Sequence, residues 1–131
     1  ALGMAQLAKN EKGVKTRNEI ASTYKKAFKG LIKFQDLPYN LYNAHHLFII
    51  EVENRKELYD YLRSNNIFSQ IHYIPVHLLP YYNNIGYEGA NLIHSENYYA
   101  NCISLPMYPT LTHEEQNFVI SKVLKFISNE E

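Results

Sequence analysis

The side chains best suited to chemistry cluster in "IHYIPVHLLPYY", residues 71–82, which holds His72, Tyr73, His77, Tyr81 and Tyr82. Imidazole and phenol groups hydrogen-bond to phosphate and sugar oxygens, and both stack on flat rings. Pro75 and Pro80 exclude a long helix here. If the preceding residues form a strand, His72 and Tyr73 point to opposite faces and Pro75 turns the chain out of the sheet. His77 and the Tyr81–Tyr82 pair then lie on the connection after a strand end, where α/β sheets often place ligand contacts. On spacing alone, packing and ligand binding account for these five residues equally well.

Other chemistries fit less well. His45 and His46 are adjacent, and on a strand they would face opposite ways and could not chelate one ion. His72 and His77 are separated by a proline, and no H-E-x-x-H pattern or carboxylate cluster accompanies them. Scattered surface or packing histidines are expected, not a metal site. Cys102, the single cysteine, sits between Ala100 and Leu105 in an apolar stretch and reads as a buried, inert thiol. There is no G-x-S-x-G elbow, and the five glycines are dispersed, so no phosphate loop is present. The paired acids Glu114–Glu115 and Glu130–Glu131 read as helix-end and tail charges.

The elements that must position these side chains follow from periodicity. Residues 2–29 lack proline, and Ile20, Tyr24, Phe28 and Leu31 form an apolar stripe, which predicts one long helix. Gly13 is its point of strain and Gly30 its stop. Residues 34–45 read as a connection. Residues 47–52 predict a buried strand, and Asn54 caps a helix whose stripe is Leu58, Tyr61 and Leu62. "IFSQIHYI" predicts a second strand, and the residues from Pro80 to Gly89 a loop. Ser95 caps a short helix, "ISLP" is a brief strand, and Thr112 with Glu115 forms a capping box for the last helix. Phe118, Val119, Val123 and Phe126 line that helix. The pattern predicts an α/β chain of α+β two-layer sandwich type, with a small mixed or antiparallel sheet covered by helices.

Composition narrows the function. The 131 residues suit one domain, and thirteen basic residues balance thirteen acidic ones. That balance speaks against nucleic-acid binding. The apolar runs are too short for a membrane span, no signal peptide is visible, and one cysteine fits a cytoplasmic setting. The chain opens on "ALGMAQLAK", already the interior of a helix, so further protein is expected before Ala1.

Three motifs occur in order: "ALGMAQL", "HYIPVH" and "SLPMYPTLTHEE". Together they resemble the C-terminal part of the DegT-type, pyridoxal-phosphate-dependent nucleotide-sugar aminotransferases, over essentially the whole chain. The wording "HYIPVHLLPYY" is most similar to enzymes that aminate a UDP-linked 4-keto-6-deoxy-hexose on the route to pseudaminic acid. The resemblance implies the small domain of an aspartate-aminotransferase-type fold, with residues 1–30 as the long connecting helix. It implies pyridoxal phosphate bound by a Schiff-base lysine in a large domain, upstream of the first motif. Lys9, Lys12 and Lys15 follow that motif and do not match that lysine. It further implies a nucleotide-sugar substrate, an amino-acid donor such as glutamate, and a homodimer. His72, Tyr73 and His77 would face the nucleotide-sugar cleft, with Tyr81 and Tyr82 as further candidates. Ser104, Leu105 and Pro106 would be structural. The rival reading is a stand-alone, non-catalytic α/β binding or regulatory module.

Overall fold

The apolar stripe of the first region does bury. In the computed structural model, which describes residues 2–38, 40–87 and 91–128, helix α2 (Asn10–Phe28) turns Ile20, Ala21, Tyr24 and Phe28 inward. Ala1, Gly89 and the Glu130–Glu131 pair lie outside the described residues. The expected single helix is broken. Helix α1 (Leu2–Leu7) ends in a turn at Ala8 and Lys9, where Lys9 N–H donates to Gln6 C=O. The break falls before Gly13, whose N–H makes a regular bond to Lys9 C=O. Residues 3–12 are all exposed, so no packed face enforces a continuous helix there. At the other end Gly30 takes φ +77°, the left-handed stop that favours glycine. That turn sends Ile32 into the core and leaves Leu31 exposed, the reverse of the predicted stripe.

The sheet has three strands in the order β1 (Lys33–Phe34), β2 (Phe48–Glu51), β3 (Cys102–Leu105), all antiparallel. β1 falls partly within what the sequence presents as a connection; two residues with no alternation give no strand signal. Phe48 and Ile50 face the core while Ile49 and Glu51 are half-buried, the alternation a one-sided sheet requires. Ile50 pairs with Phe34 on one side and Ile103 on the other. Helix α3 (Arg55–Ser64), with Asn54 at its N-cap position, contributes Leu58 and Leu62 to the same core. Helix α6 (His113–Ser128) contributes Val119 and Val123.

The second predicted strand is not formed. Residues 67–74 make a single bridge, Gln70 to Ser104. The reason lies on β3. Its outer edge is left with the peptide groups of Cys102 and Ser104, and the Cys102 N–H already closes the last turn of helix α5 (Ile93–Asn101) on Tyr98 C=O. Of the two N–H donors only that of Ser104 remains to pair, and Ser104 makes both of its backbone bonds with Gln70. Ser95 is likewise not a cap. α5 starts at Ile93, with Glu96 N–H bonded to Leu92 C=O, so Ser95 sits inside the first turn.

Two buried polar contacts fix the helices. The Tyr24 hydroxyl donates to Pro106 C=O at 3.0 Å while its ring packs against Phe28 and Phe48. Burial pushes this phenol well above its ordinary pKa. Gln116, also buried, donates from Nε2 to Ile20 C=O at 2.8 Å and so sets the rotation of α6 against α2. That rotation puts Phe118 outside, at 46% exposure, although periodicity assigns it to the core. Phe126 is half-buried against Tyr61. The capping box forms as expected: Glu115 N–H donates to Thr112 Oγ1 at 3.1 Å, and Thr112 N–H to Glu115 Oε2 at 2.9 Å.

These contacts make two expectations. Gln116→Ala removes a buried hydrogen bond to the Ile20 carbonyl, which keeps its helical partner within α2, and should cost about 1 kcal/mol or more in urea unfolding, whereas Phe118→Ala should change stability by less than about 0.5 kcal/mol. Equal costs would mean that α6 is rotated the other way. The second concerns pH. The Thr112 bonds hold the Glu115 carboxyl below its ordinary 4.5. A depressed carboxyl stabilises the fold above its unfolded value and loses that contribution as pH falls through the folded one. The stability gap between the wild type and Glu115→Ala should therefore be full at pH 7 and close progressively below about 4.5. A gap independent of pH would contradict the box.

Candidate functional site

The segment after Gln70 is held against β3 by side chains in place of a strand ladder. His72 Nδ1 and Ser104 Oγ share a hydrogen bond of 2.8 Å, and the Cys102 thiol leans on His72 C=O at 3.9 Å. The His72–Tyr73 peptide is cis. The two rings meet edge to face with centroids 4.7 Å apart, so they do not face opposite ways as a regular strand would require. Past Pro75 the chain makes one 3-10 turn, Val76–Leu78, which carries His77 inward. Pro80 then starts a short helical turn, α4 (Pro80–Tyr82), that runs into the turn Asn83–Tyr87, where Gly86 takes φ +105°.

His77 is the buried member of this group, with a side chain 7% exposed, and its Nε2–H donates to Glu96 Oε1 at 2.9 Å. Glu96 stands in the first turn of α5, where the helix dipole favours a carboxylate. Helix α5 and the 73–77 segment thereby enclose a cleft of about 580 Å³. Tyr73, Pro75, Val76 and His77 form one wall; Leu92, His94, Ser95 and Tyr98 form the other. The lining is mainly apolar, with imidazole, hydroxyl and phenol groups converging on it, as small-molecule sites commonly are.

Of the five residues singled out by sequence, Tyr73 and His77 line this cleft directly. His72 is not part of the cleft wall; it packs against Tyr73 and is anchored on Ser104. Tyr81 and Tyr82 pack edge to face on each other, 5.3 Å apart, on α4 and are not part of the cleft wall. Sequence reasoning missed the opposite wall. Glu96, His94 and Tyr98 belong to a stretch that reads only as a short helix. The available signal was that a histidine turned inward by two flanking prolines needs a partner, and a first-turn carboxylate is a ready one.

The remaining candidates are placed as follows. His45, at φ +46°, and His46 both precede β2 and line one cavity of about 230 Å³ with Gln35 and Asn43. They do share one side, against the strand-based expectation, because neither lies on a strand. Burial, aided by the charge of Lys25, lowers the His45 pKa. Among the described residues no group of three or more His, Cys, Asp or Glu could hold a metal ion. Cys102 is buried, and desolvation raises its pKa.

The sequence profile of the DegT/DnrJ/EryC1/StrS aminotransferase family matches residues 1–124. The chain belongs to that family. It is 35% identical to the spore coat polysaccharide biosynthesis protein SpsC of Bacillus subtilis, over 94% of this chain and 34% of that protein. It is 30% identical to the UDP-4-amino-4,6-dideoxy-N-acetyl-beta-L-altrosamine transaminase of Helicobacter pylori, over 95% of this chain and 35% of that one. Among solved structures it superposes on the apo-form of the putative sugar aminotransferase Spr1654 of Streptococcus pneumoniae with a TM-score of 0.89 at 28% identity, covering 98% of this chain and 34% of that one. Spr1654 has also been solved in a PMP-form and a PLP-form. The chain thus spans about a third of the length of the curated relatives it matches. The architecture is that of the aminotransferase fold's small antiparallel sheet with covering helices.

The cleft does not by itself fit pyridoxal phosphate. Among the described residues no lysine lines it to form a Schiff base and no arginine to take the phosphate. Lys9 and Lys12 border a different surface with Gly13 and Arg17, and Lys15 is exposed on α2. The cleft's own groups suit hydrogen bonding and ring contact.

Cys102 gives a direct check on how tightly this region is packed. With its thiol buried under His72 and its pKa raised, Ellman's reagent at pH 8 should label it only slowly in the folded chain and at once in urea. Immediate labelling of the native chain would show that the 70–77 segment is not seated on β3.

Proposed function

We propose that this chain is the C-terminal small domain of a pyridoxal-phosphate-dependent transaminase. The whole enzyme would transfer an amino group, with glutamate as donor, to a UDP-linked 4-keto-6-deoxy sugar, in surface-polysaccharide or pseudaminic acid-type sugar biosynthesis. The enzyme would act as a cytoplasmic homodimer, with the cofactor and its lysine on a large domain preceding these residues. The cofactor supplies the electron sink for amino transfer. This domain's part is to bind and orient the nucleotide sugar with the Tyr73–His77 wall and to seat that wall on β3 through His72.

The observation that carries this reading is the cleft itself. In a chain of an aminotransferase family, the one segment whose spacing suits sugar or phosphate recognition forms a wall of a cleft of about 580 Å³ lined also by His94, Ser95 and Tyr98. The exposed apolar side chains Met4 and Leu7 on α1, 80% and 71% accessible, support packing against further protein. No described helix is long and apolar enough to cross a membrane.

In the full-length protein, Tyr73→Ala should raise the KM for the nucleotide sugar about tenfold with an unchanged melting temperature, because Tyr73 is 73% exposed and supports no core. His72→Ala and His77→Ala should impair substrate use more than stability. Conversely, the isolated chain treated with pyridoxal phosphate and borohydride should show no stoichiometric, site-specific adduct by intact mass. Such an adduct, or a Tyr73→Ala enzyme with wild-type KM, would overturn the assignment.

A further inference from the structure

His77 has two ring nitrogens, and the structure accounts for one of them. Nε2 faces the Glu96 carboxylate at 2.9 Å. A carboxylate only accepts, so Nε2 must carry the proton. Nδ1 has no hydrogen-bond partner among the described residues, and the ring lines the cleft beside Tyr73 and Tyr98. The two members differ in solvation: His77 is 7% exposed and Glu96 42%. The Glu96 carboxyl therefore keeps its contact with solvent while the imidazole is held in one orientation. A histidine with free choice of tautomer would offer the cleft a donor or an acceptor at random. One locked by a carboxylate offers a defined atom, the arrangement by which an orienting group fixes a functional histidine.

We propose that Glu96 is a positioning residue, which locks His77 as the Nε2–H tautomer so that Nδ1 accepts a hydrogen bond from a hydroxyl of the bound sugar or ribose. This rests on the reading of the cleft as a nucleotide-sugar wall. It accounts for a carboxylate spent on a histidine in place of a lysine or arginine. Glu96 sits two residues from His94, which lines the same cleft, so α5 supplies both the lock and part of the wall. It also explains why the two walls must come together as one unit, since the lock joins the 76–78 turn to α5.

Two measurements test it. Long-range 1H–15N spectra of this chain at pH 8, with the His77 signal assigned through His77→Ala, should show the Nε2–H tautomer. Glu96→Ala should give a mixture of tautomers, and Glu96→Gln, which keeps an acceptor oxygen, should preserve the lock. A Nδ1–H tautomer in the wild type, or no change in Glu96→Ala, would overturn the lock. In the full-length enzyme, Glu96→Ala should raise the KM for the nucleotide sugar about tenfold with kcat within about twofold, and Glu96→Gln should restore most of the loss. An active wild type whose KM is unmoved by Glu96→Ala would overturn the positioning role alone. A wild type without transaminase activity on nucleotide sugars would overturn the functional reading and that role with it, and leave the tautomer lock as a packing feature.

Discussion

The site depends on what Ser104 does at the buried strand β3. Its backbone N–H and C=O both pair with Gln70, at 2.8 and 3.1 Å, and its side-chain oxygen meets His72 Nδ1 at 2.8 Å. These three bonds replace the ladder that a fourth strand would have made. All four residues of β3 are buried, so an unpaired peptide group there would be costly. With the Cys102 N–H bonded within α5, the backbone pairing of this edge with the 70–77 segment is made at Ser104. The 70–77 segment is consequently pinned at one point and free to leave the sheet plane, and it does so toward α5.

That geometry connects fold to function. A continuous strand through residues 67–74 would have sent His72 and Tyr73 to opposite faces and dispersed the polar groups. Pinning at Ser104 brings the two rings together, and the turn after Pro75 delivers His77 to Glu96. The residue that resembled only a structural part of the "SLP" motif thus supports the wall. The core beneath is ordinary: Tyr24, Phe28, Ile50, Leu58, Leu62 and Ile103 exclude solvent, and the Gln116–Ile20 contact sets the rotation of α6.

What could be read from sequence follows from what is local. The capping box at Thr112 and Glu115, the stop at Gly30 and the buried strand at Phe48–Glu51 are decided by residues within a turn of each other, and all three are present. The errors are non-local. Alternation in "IFSQIHYI" satisfies the strand pattern, but whether it pairs depends on a strand edge some thirty residues away. The phase of α6 depends on a carbonyl on α2, which no periodicity within α6 contains. Likewise Glu96 acquires meaning only next to His77, and nothing in its own neighbourhood announces the pair. The polar wall was visible as composition; its second half and its lock required the tertiary structure.

We propose that the cleft between residues 73–77 and α5 is where this chain meets a nucleotide sugar. The most direct test is photo-crosslinking of the full-length protein with a diazirine-bearing UDP-sugar, followed by peptide mass mapping. The claim predicts that label within this chain falls on the peptides containing residues 71–82 and 93–98 and is competed away by excess UDP-sugar. Competable label confined to other surfaces of the chain, such as the His45–His46 cavity, would contradict it.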